Sequence, residues 1–160
     1  MTVIIVCGIP GSGKSTWVEK FMRKNPEYVQ VSKDLIRIDM GLLSEGQKGY
    51  FPELEPKIQE KERDQVRQFV ELELPIIIDD TNLSCSGRQR WMEFIHKLDP
   101  DYTFRVVFFA TPLDVCIKRR KGQIPEDIIR DMFSKYETGI YAGEKDYQPD
   151  VEVVIPEKVL

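Results

Sequence analysis

Cysteine and histidine are scarce in this chain of 160 residues, which contains three cysteines and one histidine. The cysteines are odd in number, far apart and not arranged as a CxxC pair: Cys7, Cys85 and Cys116. We therefore expect reduced thiols instead of a disulfide framework or a cysteine metal site. The single histidine, His96, cannot complete a Ser-His-Asp triad or a zinc site, and we expect it at the surface.

Long apolar runs and an excess of positive charge are also missing. No apolar stretch approaches the roughly 20 residues that a membrane span requires, so we expect no membrane partner. Residues 1–6 are apolar but lack a basic leader and run directly into a glycine-rich loop, which predicts a buried strand and a cytoplasmic protein. The net charge of −4 argues against broad coating of DNA, because such binding depends on many phosphate contacts. A small basic site is compatible with this charge, and residues 118–121 form the densest cationic cluster.

The chain does contain an alternation of short apolar runs and longer helix-compatible segments. Five β-branched runs predict strands, at residues 3–6, 28–31, 76–78, 104–109 and 151–155. The segments between them predict helices at 14–23 and around 57–70, and further helices opened by Pro112 and Pro125. This alternation predicts a three-layer α/β fold, with helices on both faces of a parallel sheet of about five strands, in a single domain of residues 1–160.

Two segments add detail to this outline. An apolar stripe at helical spacing predicts one more helix, with a buried face made of Trp91, Phe94, Ile95 and Leu98. Residues 41–56 are the least regular stretch and contain three glycines, so we expect mobility there.

The strongest motif is a phosphate-binding loop. Residues 8–15 match the pattern GxxxxGK[ST], follow an apolar strand and precede a helix-compatible segment. Glycines let backbone N–H groups turn toward phosphate oxygens, Lys14 would reach the β- and γ-phosphates, and the Ser15 hydroxyl would bind Mg²⁺. The complete match in this context disfavours a plain glycine turn with a surface lysine. The residues expected to bind ATP are Gly8, Gly11, Ser12, Gly13, Lys14, Ser15 and Thr16.

Two adjacent carboxylates, Asp79 and Asp80, end the third predicted strand. Proteins with this phosphate loop commonly carry there an acid that holds the metal or its water shell. Because adjacent residues of a strand point to opposite faces, the two acids should have different roles. The alternative is a pair of aspartates that cap a turn.

Asp34 lies just beyond the second predicted strand. The carboxyl ends of parallel strands meet at one crevice, so a carboxylate there can orient an attacking hydroxyl and accept its proton. Asp34 could equally be a residue of a first helical turn that pairs with Arg37 at spacing i,i+3. Spacing alone leaves these two interpretations equal.

Several segments together resemble the phage-type polynucleotide 5′-kinase and the P-loop kinases related to it. The matching pieces occur in the family's order and cover roughly residues 1–136: 8–17, 32–37, 80–83 with Arg88 and Trp91, 118–120 and 124–132. The resemblance implies a P-loop NTPase fold with a short basic lid, and a site that uses ATP and Mg²⁺. It also implies a nucleic-acid 5′ end as the partner.

The resemblance further implies roles for particular residues. Asp34 would be the general base, and Arg37 would contact the phosphate that flanks the accepting nucleotide. The acceptor side would be shaped by Asp80, Thr81 and Asn82. From the phosphate-loop motif and the strand-end position, independently of the resemblance, Ser15 and Asp80 are the expected Mg²⁺ ligands.

Arginines in two places have alternative assignments. In the family, a lid arginine stabilises the transferring phosphate, and the candidates here are Arg119 and Arg120. The segment between Arg119 and Pro125 is shorter than the family pattern. Arg88 is expected to be either a substrate contact or a first-turn residue of its helix.

These features together predict an ATP-dependent kinase that transfers the γ-phosphate to a 5′-hydroxyl end of DNA or RNA. The chain has no DxDGT motif, so removal of a 3′-phosphate is not expected. One alternative is a related kinase whose acceptor is a hydroxymethylated base in DNA, a nucleoside or a small molecule. A second alternative is a noncatalytic ATP-binding module, and the absence of an NKxD motif disfavours a GTPase.

Overall fold

The computed structural model describes residues 1–155, and its centre is a sheet of five parallel strands. The strands are β1 (Thr2–Cys7), β2 (Val29–Val31), β3 (Ile76–Asp79), β4 (Thr103–Phe109) and β5 (Asp150–Val154). Their order in the sheet is β2-β3-β1-β4-β5, so β1 is central, between β3 and β4. All neighbouring pairs are parallel, which confirms the predicted parallel sheet.

Helices connect the strands. They are α1 (Lys14–Lys24), α2 (Lys33–Asp39), α3 (Glu55–Glu71), α4 (Cys85–Leu98), α5 (Leu113–Arg120), α6 (Glu126–Ser134) and α7 (Ala142–Lys145). Pro112 and Pro125 occupy the N-cap positions of α5 and α6, as expected of residues that open helices. Residues 41–54 contain neither helix nor strand, which agrees with the irregular stretch predicted there. The short helix α7 was not predicted.

The helices cover the sheet on both faces. Successive residues of β1 point to opposite sides, so Val3 and Ile5 join one core cluster while Ile4 and Val6 join another. The first cluster includes residues of α3 and α4, and the second includes Val18 of α1. Each fully buried aliphatic side chain contributes roughly 1.5–3 kcal/mol, which accounts for the continuous apolar runs in the central strands. The three-layer α/β fold is therefore confirmed.

The buried face of α4 differs from the predicted stripe. Arg88, Met92 and Ile95 are its buried residues, while Leu98 is 38% exposed. Trp91 and Phe94 are partly buried and pack against the core from the flank of this face. The prediction was wrong at Leu98 because it assumed a wholly apolar face, whereas the helix turns an arginine inward.

The structure also places the three cysteines and the single histidine. Cys7, Cys85 and Cys116 are free thiols, and His96 is exposed. Over residues 1–155, every helix is too short or too polar to cross a membrane.

The carboxyl ends of β1, β2 and β3 lie at the same edge of the sheet, because the strands are parallel and adjacent. The loops that follow them carry residues 8–13, Ser32 and residues 80–84. In open α/β sheets ligands bind at this edge. The topology therefore brings the phosphate loop, Asp34 and the two strand-end aspartates together.

Candidate active site

The phosphate loop joins β1 to α1 in a form that requires glycine. Gly11 and Gly13 have φ values of 83° and 99°, in the left-handed region that other residues seldom adopt. A Cβ atom on Gly11 would lie 2.8 Å from the carbonyl oxygen of Cys116. Within residues 1–155 the buried Ser12 Oγ has no hydrogen-bond partner. An unpaired hydroxyl beside the N-terminus of α1 fits a loop that receives phosphate oxygens.

Lys14 is folded into this loop. Its Nζ donates hydrogen bonds to the carbonyl oxygens of Gly8 at 2.6 Å and Ile9 at 3.1 Å. Burial lowers the pKa of Lys14 to about 8, and the negative charge of Asp79 opposes that change. Lys14 is partly buried and, within residues 1–155, its hydrogen bonds go to carbonyl oxygens, so it is suited to meet the charge of a polyphosphate.

The two aspartates at the end of β3 have different hydrogen-bond partners. Asp79 Oδ2 accepts a hydrogen bond of 2.8 Å from Gln30 Nε2, and Asp80 Oδ1 accepts one of 3.1 Å from the backbone N–H of Lys33. Burial raises the pKa of Asp79, while the charge of Lys14 opposes this. Asp79 is thus the carboxylate that interacts more strongly with Lys14, and it is an additional candidate for the Mg²⁺ position that the sequence assigned to Asp80.

A Mg²⁺ ion in a phosphate site commonly uses one or two carboxylates and completes its shell with phosphate oxygens and water. Ser15, Asp79 and Asp80 all line the same cavity, so they fit such a partial site. Among residues 1–155 there is no group of three or more His, Cys, Asp and Glu side chains that would hold a metal unaided. The roles of Ser15 and Asp80 at the metal stay predictions.

Asp34 and Arg37 lie on the first two turns of α2 and are paired. Arg37 Nη1 donates to Asp34 Oδ1 at 2.9 Å, and Lys48 Nζ contacts Asp34 Oδ2 at 2.5 Å. Arg37 Nη2 donates to Glu55 Oε1 at 2.6 Å. Burial lowers the pKa of Arg37, but Glu55 and Asp34 together outweigh this effect and raise it. The i,i+3 pair and the crevice position of Asp34 therefore coexist.

One cavity of about 540 Å³ connects these groups. Its lining includes residues 10–16 of the phosphate loop, the Asp34 and Arg37 pair, and part of the lid. A cavity of this size lies within the range of small-molecule sites. The predicted nucleotide residues Ser15 and Thr16 and the predicted acceptor residues Asp80 and Thr81 all line it as well.

The lid consists of the end of α5, the turn at residues 121–125 and the start of α6. Arg120 lines the cavity, and its Nε is buried without a partner among residues 1–155. Arg119 is exposed, and its Nη1 donates to the carbonyl oxygen of Gly11 at 3.0 Å. Of the two candidate arginines, Arg120 therefore faces the ligand space, while Arg119 supports the phosphate loop.

The position of Arg88 excludes one of the two interpretations that the sequence offered for this residue. Its side chain is fully buried and forms an ion pair with Glu144, at 2.7 Å from Nε to Oε1. It also donates to the carbonyl oxygens of Asn82 and Gly139. The prediction that Arg88 contacts the substrate is wrong, because no part of its guanidinium group reaches solvent. Its role is to hold the loop after β3 against α7.

That loop also contains Thr81 and Asn82, two predicted acceptor residues. The Thr81 carbonyl accepts a hydrogen bond of 2.9 Å from the Gly8 N–H, which joins the loop to the phosphate loop. Asn82 has φ 44°, and its Nδ2 donates to the carbonyl oxygen of Val6 at 2.8 Å. The Asn82 amide nitrogen is thus used within the protein, and the residue shapes the loop from inside.

Several residues of the site were not found from the sequence. Glu55 and Glu62 are buried residues of α3, in register with Ile58, Val66 and Val70. A carboxylate on an otherwise apolar helical stripe was the signal that could have identified them. Lys48, which contacts Asp34, lies in the irregular segment and carried no such signal.

The chain belongs to the AAA domain family, whose profile matches residues 3–137. Its five-stranded parallel sheet with surrounding helices is the α/β fold of the P-loop kinases. The narrower resemblance to the phage-type polynucleotide 5′-kinase stays a prediction.

The chain spans only part of the length of two proteins to which it is similar. The chain is 28% identical over 164 aligned positions to the L-seryl-tRNA(Sec) kinase of Methanococcus maripaludis, which covers 98% of this chain and 60% of that protein. It is 27% identical to a chain of the Pnkp1/Rnl/Hen1 RNA repair complex, with a TM-score of 0.69, and the match covers 84% of this chain and 43% of the other. A fungal RNA kinase shares the fold at 13% identity and a TM-score of 0.65, over 99% of this chain and 76% of that one.

Proposed function

We propose that this chain is an ATP-dependent phosphotransferase that transfers the γ-phosphate to a 5′-hydroxyl end of nucleic acid, with RNA as the preferred acceptor. The observation that carries the proposal is that Lys14 and Ser15 line the same cavity as Asp34 and Arg37. The preference for RNA draws on two similar proteins, a seryl-tRNA kinase and a chain of an RNA repair complex.

On the ATP side, the proposed chemistry is positioning and charge neutralisation. The triphosphate lies against the N–H groups of residues 11–16, and Lys14 exchanges its carbonyl partners for β- and γ-phosphate oxygens. Mg²⁺ bound with ATP would neutralise phosphate charge, held by Ser15 Oγ and the strand-end carboxylates. Arg120 contacts the transferring phosphate, where charge spreads over three oxygens.

On the acceptor side, Asp34 is the proposed general base. The 5′-oxygen forms a bond to the γ-phosphorus, the bond from that phosphorus to the bridging oxygen breaks, ADP leaves, and the acceptor proton goes to Asp34. Each carboxylate oxygen has two lone pairs, so Asp34 can keep Arg37 and still accept the proton. Lys48 contacts Asp34 from the irregular segment, and an incoming acceptor would share or displace it.

A transfer assay with γ-labelled ATP tests this proposal. The acceptors are 5′-hydroxyl RNA, 5′-hydroxyl DNA, DNA with hydroxymethylated bases, and free nucleosides. We expect label on the 5′-hydroxyl ends, most rapidly on RNA, and none with Lys14→Ala. Label only on modified bases or nucleosides would contradict the proposed acceptor, and no transfer to any acceptor would favour an ATP-binding module.

A second candidate acceptor is the hydroxyl of a seryl group carried on tRNA. It is favoured by the match to the seryl-tRNA(Sec) kinase, which extends over 98% of this chain. Mild alkaline deacylation distinguishes the two acceptors. Label on a seryl group leaves the RNA as phosphoserine, whereas label on a 5′ end stays with the RNA.

A further inference from the structure

A second cavity of about 450 Å³ opens beside the main cavity, between α3 and α4. The two cavities share four lining residues, Lys33, Gln59, Asp80 and Thr81. Gln59 lies on α3 between Glu55, which holds Arg37, and Glu62, which lines the second cavity. The two cavities therefore adjoin at these residues, and a ligand with its reactive end beside Asp34 would extend across them toward the second cavity.

The rim of the second cavity is cationic, although the chain as a whole has a net charge of −4. Lys33, Arg63, Arg90 and Lys135 line it. Within the described part of the chain, Lys33, Arg63 and Arg90 form no ion pair. Only Lys135 is paired, with Asp131 at 2.7 Å. The cavity thus concentrates cations that have no carboxylate partner.

Aromatic side chains form one side of the same cavity. Trp91 and Phe94 line it, and the Arg63 guanidinium lies over the Phe94 ring at 4.6 Å from the centroid. This contact holds Arg63 at the rim without neutralising its charge. Ser84 and Gly87, from the N-terminal turn of α4, add the positive end of that helix to the lining.

Two carboxyl groups, those of Glu62 and Asp80, also line the second cavity. Glu62 is 2% exposed, and its Oε1 has no hydrogen-bond partner among residues 1–155. Four cationic side chains line the cavity against these two carboxyl groups, so cations outnumber carboxyl groups in its lining.

We propose that this second cavity binds the sugar-phosphate backbone of the nucleic acid on the 3′ side of the accepting nucleotide. The phosphates lie against Lys33, Arg63 and Arg90, and the reactive 5′-hydroxyl enters the main cavity past Gln59 and Thr81. This inference rests on the proposed function, because it takes the acceptor to be a polynucleotide. A nucleoside or small molecule would occupy the main cavity alone.

The test uses a double variant that carries Arg63→Gln and Arg90→Gln. Its control is a second double variant with the same change in charge, which carries Arg67→Gln and Lys97→Gln. Arg67 lies one turn beyond Arg63 on α3 and pairs with Asp64 at 2.7 Å. Neither control position lines the second cavity. Two measurements are made on each protein: KM for a 12-nucleotide and a dinucleotide acceptor, and the affinity for a 12-nucleotide RNA with ADP, by fluorescence anisotropy over a range of salt concentrations.

We expect the double variant to raise KM and Kd for the 12-nucleotide RNA by about 10-fold at 0.15 M salt, and to reduce the salt slope by about 1.4, because each phosphate contact on a single strand contributes about 0.7. In the double variant, KM for the dinucleotide and KM for ATP should not change. In the control variant, all of these quantities should equal those of the wild type. Equal binding of the two acceptor lengths by the wild type, or equal behaviour of the double variant and the control, would overturn the proposal.

The anisotropy measurement keeps this inference separate from the proposed function. If no 5′-hydroxyl is phosphorylated but RNA binding still depends on Arg63 and Arg90, the proposed function fails and the RNA-binding cavity is supported. If 5′ ends are phosphorylated without any dependence on these two arginines, the function stands and the cavity assignment fails.

Discussion

Arg37 and Glu55 form an ion pair of 2.6 Å that joins α2 to the start of α3. Both residues are buried, at 8% and 6% exposure. The other amino group of Arg37 contacts Asp34 at 2.9 Å, so Glu55 fixes the orientation of the guanidinium that faces the candidate base. Burying an arginine between two carboxylates carries a desolvation penalty. Such an arrangement is well suited to hold a substrate-facing group in place.

Glu55→Gln should weaken this positioning. We expect a loss of about 1.5–3 kcal/mol in the free energy of unfolding, the usual value of a hydrogen bond to a charged group. We also expect KM for the nucleic-acid acceptor to rise while KM for ATP stays constant, because Glu55 touches only the acceptor side. Urea unfolding and steady-state kinetics check both effects. Glu53→Gln, at an exposed position in the same segment, is the matched control, and an equal response of both variants would contradict the role of Glu55.

ATP binding should take up protons near pH 8. The pKa of Lys14 is lowered to about 8 in the free protein, so about half of the lysines are neutral at that pH. Phosphate charge favours the protonated form and raises this pKa, so binding takes up about half a proton at pH 8, and affinity falls as the pH rises further. Calorimetry in buffers with different ionisation enthalpies measures the uptake. Lys14→Met should abolish it, and Lys20→Met, at an exposed position on α1, should retain it.

The two lid arginines should differ in their kinetic effects. Arg120 lines the cavity with an unpartnered Nε, so Arg120→Ala should lower kcat by about 10²–10³-fold, the usual loss for a donor to transition-state charge. Arg119→Ala removes a contact with the Gly11 carbonyl and should mainly weaken ATP binding. Single-turnover rates at saturating ATP separate the two. A larger fall in this rate with Arg119→Ala would reverse the assignment.

The buried ion pair of Arg88 and Glu144 should stabilise the folded protein. Both side chains are 1% exposed or less, so Glu144→Gln should lower the free energy of unfolding by about 3–5 kcal/mol, the usual cost of breaking a buried pair. The folded fraction should keep a normal KM for the acceptor. Arg130→Met disrupts an exposed pair with Glu126 and should have little effect, which makes it the control for urea unfolding. Normal stability with a raised acceptor KM would restore the substrate role for Arg88.

The strands and the phosphate loop could be predicted from the sequence because they depend on local patterns. Buried parallel strands require continuous β-branched runs, and the loop requires glycine at Gly11 and Gly13, where φ is positive. The approach of Asp34 to the phosphate loop also followed from topology, since parallel strands end at one edge of the sheet.

The buried charges could not be predicted, because their partners are distant in sequence. Arg88 meets Glu144 across 56 positions, and Arg37 meets Glu55 across 18. An arginine on a helix surface and one inside a core have the same local pattern until the fold supplies the partner. The second cavity was missed for a similar reason, because its cations come from separate helices.

Asp34 is proposed to accept the proton of a 5′-hydroxyl during γ-phosphate transfer. Asp34→Asn keeps the shape of the side chain and its ability to hydrogen-bond, but it cannot take up the proton. It also remains a good residue for the start of a helix, so a purely structural Asp34 would tolerate the change. Calorimetry of ATP binding on the same preparation shows whether the nucleotide side is intact.

The most direct measurement is therefore single-turnover transfer from γ-labelled ATP to a 5′-hydroxyl oligoribonucleotide by the wild type and by Asp34→Asn. We expect transfer by the wild type, and a fall of about 10²–10⁴-fold in the variant, the usual contribution of a positioned general base. ATP affinity should be unchanged. A variant that transfers at the wild-type rate, or a wild type that phosphorylates no 5′-hydroxyl end, would contradict the claim.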